Sequence, residues 1–136
     1  MAIRVFEGAA EKPDVQVEVG MVGNYQKIEF SGQLIYGQTE KAKQIILDNI
    51  REAKGYFFDV RNLSSIDSTG LGMLVTIARR LKNTDSRIAV IVEEGMMKEI
   101  FTMAKFHLIF SMVSSEAEGV RLFEGGSRPN LTLDEY

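Results

Sequence analysis

The segment Tyr56-Phe57-Phe58-Asp59-Val60 constrains the fold more than any other. It has little polar alternation, the pattern of a strand covered on both faces. The elements around it must supply that cover. Upstream, Val15-Gln16-Val17-Glu18-Val19 alternates apolar with polar, as a half-buried strand does. Gly20 to Asn24 carries turn chemistry, Tyr25 to Phe30 alternates again, and Ser31-Gly32 breaks the pattern, so a hairpin is expected. From Thr39 the period becomes helical, with Ala42, Ile45, Ile46, Asn49, Ile50 and Ala53 on one face and Gly55 as its stop.

Downstream, a second helix is expected to begin near Ser68. Leu71, Leu74, Val75, Ala78 and Leu81 form its core stripe, and Asn83-Thr84-Asp85-Ser86 ends it. Ile88 to Val92 reads as another buried strand. Met97, Ile100, Phe101 and Ala104 mark a third helix, and Leu108 to Val113 a last strand. Ser114 or Ser115 with Glu118 resembles a capping arrangement that opens a short helix to about Phe123. Two strands followed by repeated helix–strand units predict a single α/β domain, with a mixed sheet of about five strands and about four helices chiefly on one face. Residues 1–13 read as an irregular lead-in, 14–124 as the domain and 125–136 as a polar, mobile tail.

With 136 residues the chain suits one domain. It has no cysteine, which excludes disulfides, thiolate metal sites and cysteine nucleophiles and fits a reducing compartment. The net charge of -3 is spread without a basic stripe, which argues against direct nucleic-acid binding. Apolar runs fall far short of the roughly 20 residues a bilayer span needs, and Met1 to Asp14 lacks a signal-peptide core. A cytoplasmic protein with protein partners and no membrane insertion is the expectation. Gly70-Leu71-Gly72 lacks the third glycine and the ribose-binding acid of a dinucleotide fingerprint. The lone histidine, His107, supports neither a metal cluster nor a serine–histidine pair and reads as partly buried. Met96, Met97, Met103 and Met112 sit at core spacing and read as packing. No cofactor, metal or catalytic residue is expected, and the chain reads as a non-enzyme.

The chemistry concentrates in Asp59-Val60-Arg61-Asn62-Leu63-Ser64-Ser65-Ile66-Asp67-Ser68-Thr69-Gly70-Leu71-Gly72-Met73. A buried strand is expected to run into a polar loop and then into a helix N-terminus. Asp67 and Ser68 are both good N-cap residues. Glycines at 70 and 72 cost helix stability, about 1 kcal/mol each, which suggests a close approach to the backbone there. A phosphoryl group on Ser68 would meet the amides of the helix start and favourable dipole, so the fold should survive while the surface gains about -1.5 to -2 charges. With the core stripe inward, Thr69, Thr76 and Arg80 point outward and Met73 and Ile77 lie at the edge of the exposed face, a surface suited to a partner. Asp59, ending its strand, reads as a structural carboxylate that bonds loop amides and shapes the site indirectly.

The Ile66-Asp67-Ser68-Thr69-Gly70-Leu71-Gly72 run, preceded by the Asp59 strand, resembles the signature of STAS-domain anti-sigma factor antagonists, and the likeness extends over roughly residues 15–123. The resemblance implies phosphorylation at Ser68, with Asp67, Thr69 and Gly70 shaping the site. It implies as partners an anti-sigma factor serine kinase, a sigma factor released indirectly, and a PP2C-type phosphatase, with the free chain a monomer or weak dimer. Alternatives are a STAS scaffold subunit of a sensory assembly or an accessory subunit of a membrane transporter. The family commonly reads Gly-Glu-Leu-Asp where this chain has Gly32-Gln33-Leu34-Ile35, so both carboxylates are replaced.

Overall fold

The structure is a computed structural model that describes residues 14–81 and 87–126 together with Leu133 and Glu135. A hairpin of β1 (Gln16–Val22) and β2 (Tyr25–Leu34) leads into α1 (Thr39–Asn49), β3 (Gly55–Ile66) and α2 (Ser68–Leu81). Then follow β4 (Arg87–Ile91), α3 (Met96–Met103), a 3-10 turn at Phe106–Leu108, β5 (Ser111–Val113) and α4 (Glu116–Gly125). The sheet order is β1-β2-β3-β4-β5, antiparallel between β1 and β2 and parallel thereafter. This is the expected mixed α/β architecture. The lead-in of residues 1–13 and the helix stop at 83–86 lie outside the described residues.

Chain order and strand order coincide, so the crossovers through α1, α2 and α3 all step the same way across the sheet. Right-handed crossovers then bring those helices to one face. There Ile28, Phe30, Tyr56, Phe58, Val60 and Val90 pack with Ala42, Ile46, Leu74, Ile77, Ala78 and Phe101. The terminal α4 is not a crossover and packs on the opposite face, where Phe123 meets Phe57, Ala89, Ile91 and Val113. Its Ser115 cap accepts from the Glu118 amide at 3.2 Å, while Glu118 accepts from the Ser114 amide at 2.9 Å. The aromatic central strand is therefore covered on both sides, with Phe57 stacked on Phe123 and Phe58 edge-on to Phe110.

Several local expectations are corrected. The strand does not break at Ser31-Gly32 but runs to Leu34. Gly32 sits at φ +85 and a Cβ there would collide with the Asp14 carbonyl, so glycine is what lets the strand pass. The first helix ends at Asn49, and Gly55 opens β3 instead of stopping α1. The polar stretch Arg61–Ser65, read as loop, is strand paired with β2 through register shifts between Glu29 and Ser31 and between Gly32 and Gln33. Extra residues on β3 at those points destroy the alternation that marks a strand. The last strand shrinks to Ser111–Val113 because a 3-10 turn takes up Phe106–Leu108. His107 is exposed, as are Met96 (76%) and Met103 (77%), which therefore do not pack the core. Of the polar tail, Leu133 is half-buried against the main cluster, and its carbonyl accepts from Arg79 Nη2 at 3.5 Å.

Candidate functional site

The C-terminal ends of β2 and β3 and the start of α2 meet at Asp67. Its carbonyl accepts from the Leu71 amide at 2.9 Å, which makes Asp67 the N-cap and Ser68 the first helical residue. One carboxylate oxygen accepts from the Gly70 amide at 3.0 Å, and the other from the Tyr36 amide at 2.9 Å. A single side chain thus ties the helix tip to the loop that leaves β2. Burial acts to raise the Asp67 pKa, but hydrogen bonds from the amides of Tyr36, Gly70 and Thr69 outweigh it and hold the carboxyl below its usual value. Asp67 is therefore an anion at neutral pH.

With the cap supplied by Asp67, the Ser68 hydroxyl is left for the outside, and Ser68 and Thr69 are both exposed. The amides of Gly70 and Thr69, expected to receive a phosphoryl group, already serve Asp67. A phosphate on Ser68 would project outward beside that anion instead of settling into the helix start. Gly70 is buried against the end of β2: a Cβ there would collide with the Leu34 carbonyl and come within 2.8 Å of Ile66 Cγ1. Tyr36, next to its anchored amide, is 82% exposed, and Gln33 and Ile35 are half-buried at the same end of the sheet.

The outer face of α2 is rotated from the expected one. Met73 is 5% exposed and Ile77 fully buried, so neither side chain lies at an exposed edge. Leu71 and Val75, expected inward, are half-exposed. Together with Ser68, Gly72, Arg79, Ala104 and Phe106 they line a shallow groove between α2 and the segment after α3. Thr76 and Arg80 are exposed as expected, and Thr76 Oγ1 donates to the Gly72 carbonyl at 3.0 Å. Two apolar stripes overlap on this helix: Leu74, Ala78 and Leu81 are buried as expected, while Met73 and Ile77 take the inward places expected for Leu71 and Val75. Gly70 was the missed signal: with Met73, Ile77 and Leu81 it marks the face that approaches the sheet.

Asp59 does not belong to this site. It lies mid-strand on the α4 face, seven residues before Ile66 and so roughly 20 Å away along β3. It is 1% exposed and holds Arg61 through contacts of 3.0 and 2.8 Å, with Lys27 at 3.8 Å. Glu116 at the start of α4 closes the network, at 2.8 Å to Lys27 and 3.4 Å to Arg61. The hydrogen bond to Glu116 is the main cause of a raised Lys27 pKa, and the same contact lowers that of Glu116. The cluster fastens α4 to the sheet. Of the loop amides Asp59 was expected to bond, it accepts from that of Arg61 at 3.2 Å, and the ion pairs are added to that role.

A protein-family model described as "STAS domain" matches residues 2–119. Among solved structures, an anti-sigma factor antagonist from Mycobacterium paratuberculosis superposes with a TM-score of 0.73 at 12% identity, covering 82% of this chain and 95% of that one. The anti-sigma factor antagonist SpoIIAA in its unphosphorylated form gives 0.59 at 19% identity, covering 82% and 100%. The phosphorylated form of SpoIIAA, a Bacillus cell fate determinant, gives 0.58 at 19%, covering 78% and 97%. No curated protein matches the sequence. Among the described residues no helix is long and apolar enough to cross a membrane.

Proposed function

The chain belongs to the STAS domain family, and from that premise we propose that it is a cytoplasmic anti-sigma factor antagonist controlled by phosphorylation of Ser68. In the unmodified state it binds an anti-sigma factor serine kinase, and the sigma factor held by that kinase is released. The kinase then transfers the γ-phosphoryl group of ATP to Ser68 Oγ. The hydroxyl proton passes to a base on the kinase and ADP leaves. A PP2C-type phosphatase resets the cycle: water cleaves the phosphoester, returning the hydroxyl and inorganic phosphate. This chain supplies the acceptor and no catalytic group.

One observation carries the reading: Ser68 is exposed at the first helical position while Asp67 beside it does the capping. A hydroxyl freed from structural duty can be modified without loosening the helix. The phosphate adds about -1.5 to -2 charges at neutral pH next to a carboxylate that is already ionised. A partner covering the helix tip would have to desolvate both, so it is expelled. The near-equal match of this fold to the phosphorylated and unphosphorylated forms of SpoIIAA is consistent with a switch that acts on the surface and leaves the fold alone.

The test uses Ser68→Ala and Ser68→Asp. The alanine variant is expected to bind the kinase whether or not ATP is present, and the aspartate variant to lose binding. Kinase binding by both variants that tracks the wild type in each condition would refute the proposal.

A further inference from the structure

Two glycines stand two residues apart at the start of α2, and among the described residues only one has a neighbour that requires it. Gly70 is pressed against the end of β2, where a Cβ would meet the Leu34 carbonyl and the Ile66 side chain. Gly72 is exposed, its φ is not in the left-handed region, and a Cβ built on it meets nothing within 4 Å among the described residues. The Thr76 hydroxyl bonds the Gly72 carbonyl, a contact any residue could offer. Glycine in a helix interior is less stable than alanine because the unfolded chain loses more freedom on ordering. At position 72 the described residues give nothing back for that loss.

What remains is the space outside. Gly72 lies four residues after Ser68, hence on the same face of the helix and one turn along. Both line the groove whose walls are Leu71, Val75, Ala104 and Phe106. Any protein that reaches Ser68 Oγ has to lie over this stretch of α2.

We propose that Gly72 is the point of closest approach for the kinase that phosphorylates Ser68, where a main-chain segment of that kinase, apolar towards Leu71 and Val75, packs directly on the helix backbone. This inference rests on the Ser68 reading and adds to it the residue that sets how closely the partner can dock. Gly72 is a positioning residue: it makes room, and it touches no reacting atom. A side chain at 72 lifts the kinase segment off the helix and moves its nucleotide away from Ser68.

The experiment compares Gly72→Ala and Gly72→Gln with the wild type in the full chain. Thermal unfolding is read first, then binding to the kinase that phosphorylates wild-type Ser68, then the initial rate of Ser68 phosphorylation with ATP. Both variants are expected to melt a few degrees higher, since each puts a better helix former in open space. Kinase affinity is expected to fall about tenfold with alanine and further with glutamine, as overpacking at a close contact does. A purely structural glycine would move stability and binding the same way, so opposed signs are the signature. Raised melting with unchanged binding and phosphorylation overturns the inference and leaves the Ser68 reading standing. Lowered melting overturns it too, by giving Gly72 an internal role. If the wild type is phosphorylated by that kinase at a residue other than Ser68, the reading beneath it fails, and the inference with it.

Discussion

Gly70→Ala is the substitution whose cost follows most directly from the geometry at the tip of α2. On helix propensity alone, alanine should stabilise an interior position by up to about 1 kcal/mol. Here the added methyl would run into the Leu34 carbonyl, sit 2.8 Å from Ile66 Cγ1 and 3.1 Å from Leu34 Cγ. The nearest of these is backbone at the end of a paired strand, which no rotamer change can relieve. To make room, α2 must tilt away from β2, which stretches the 3.4 Å bond from the Asp67 amide to the Leu34 carbonyl and pulls Asp67 from the Tyr36 amide. Overpacking of this kind costs about 1–3 kcal/mol, and weakening one backbone hydrogen bond adds about 1 kcal/mol. Against the propensity gain, the net is a loss of roughly 1–3 kcal/mol, or about 3–9 °C in melting temperature for a chain of this size. Thermal unfolding followed by far-UV circular dichroism at pH 7 reads it. A Gly70→Ala protein that melts at or above the wild type would refute the close-approach argument, because propensity would then be the only effect present.

Asp67→Asn keeps the shape of the cap but replaces one of its acceptor oxygens with a donor, so either the Tyr36 or the Gly70 amide is left facing an NH2 group. A loss of about 1–2 kcal/mol at pH 7 is expected. The Asp67 pKa is lowered in the fold, so its contribution is present above the unfolded carboxyl value of about 4 and disappears as pH falls through the lower folded value. In urea titrations the gap between wild type and variant should therefore narrow from pH 7 to pH 3, and a constant gap would contradict the assignment. On the opposite face, Arg61→Met removes the guanidinium from the buried Asp59, leaving the main-chain amide of residue 61 at 3.2 Å and Lys27 at 3.8 Å, and should cost about 3 kcal/mol. The double change Asp59→Leu with Arg61→Met should recover most of that in the same titration, and a double variant no better than the single would show that Asp59 is not held by this pairing.

The order of elements was legible because each long element carried its own period: α1 and α3 at helical spacing, β1 and most of β2 at strand alternation. Where reading failed, the pattern had been overwritten by something non-local. The end of β3 looked like loop because register shifts against β2 leave Val60, Leu63 and Ile66 buried at every third residue, a spacing no regular strand has. Met96 and Met103, seven residues apart, share a face of α3 as core positions do, yet that face is exposed. Periodicity reports that residues share a face and is silent on what covers it.

The same limit explains the misreading of α2, and the correction changes what the helix offers. Leu74, Ala78 and Leu81 belong to both of its possible apolar stripes, so they could not fix the helix phase. Only the contact between Gly70 and β2 does, by bringing that side of the helix within reach of the sheet. Once the phase is set, Met73 and Ile77 go inward and Leu71 and Val75 come up beside Ser68. The apolar edge next to the hydroxyl is therefore made of branched side chains held on a helix instead of an adaptable methionine, and it presents a more sharply shaped surface to whatever covers it. The helix tip divides its labour by residue: Asp67 and Gly70 tie it to the end of β2, while Ser68 and Gly72 are exposed on its outer side. On the function proposed above, that separation lets phosphorylation of the hydroxyl change an association without changing the fold.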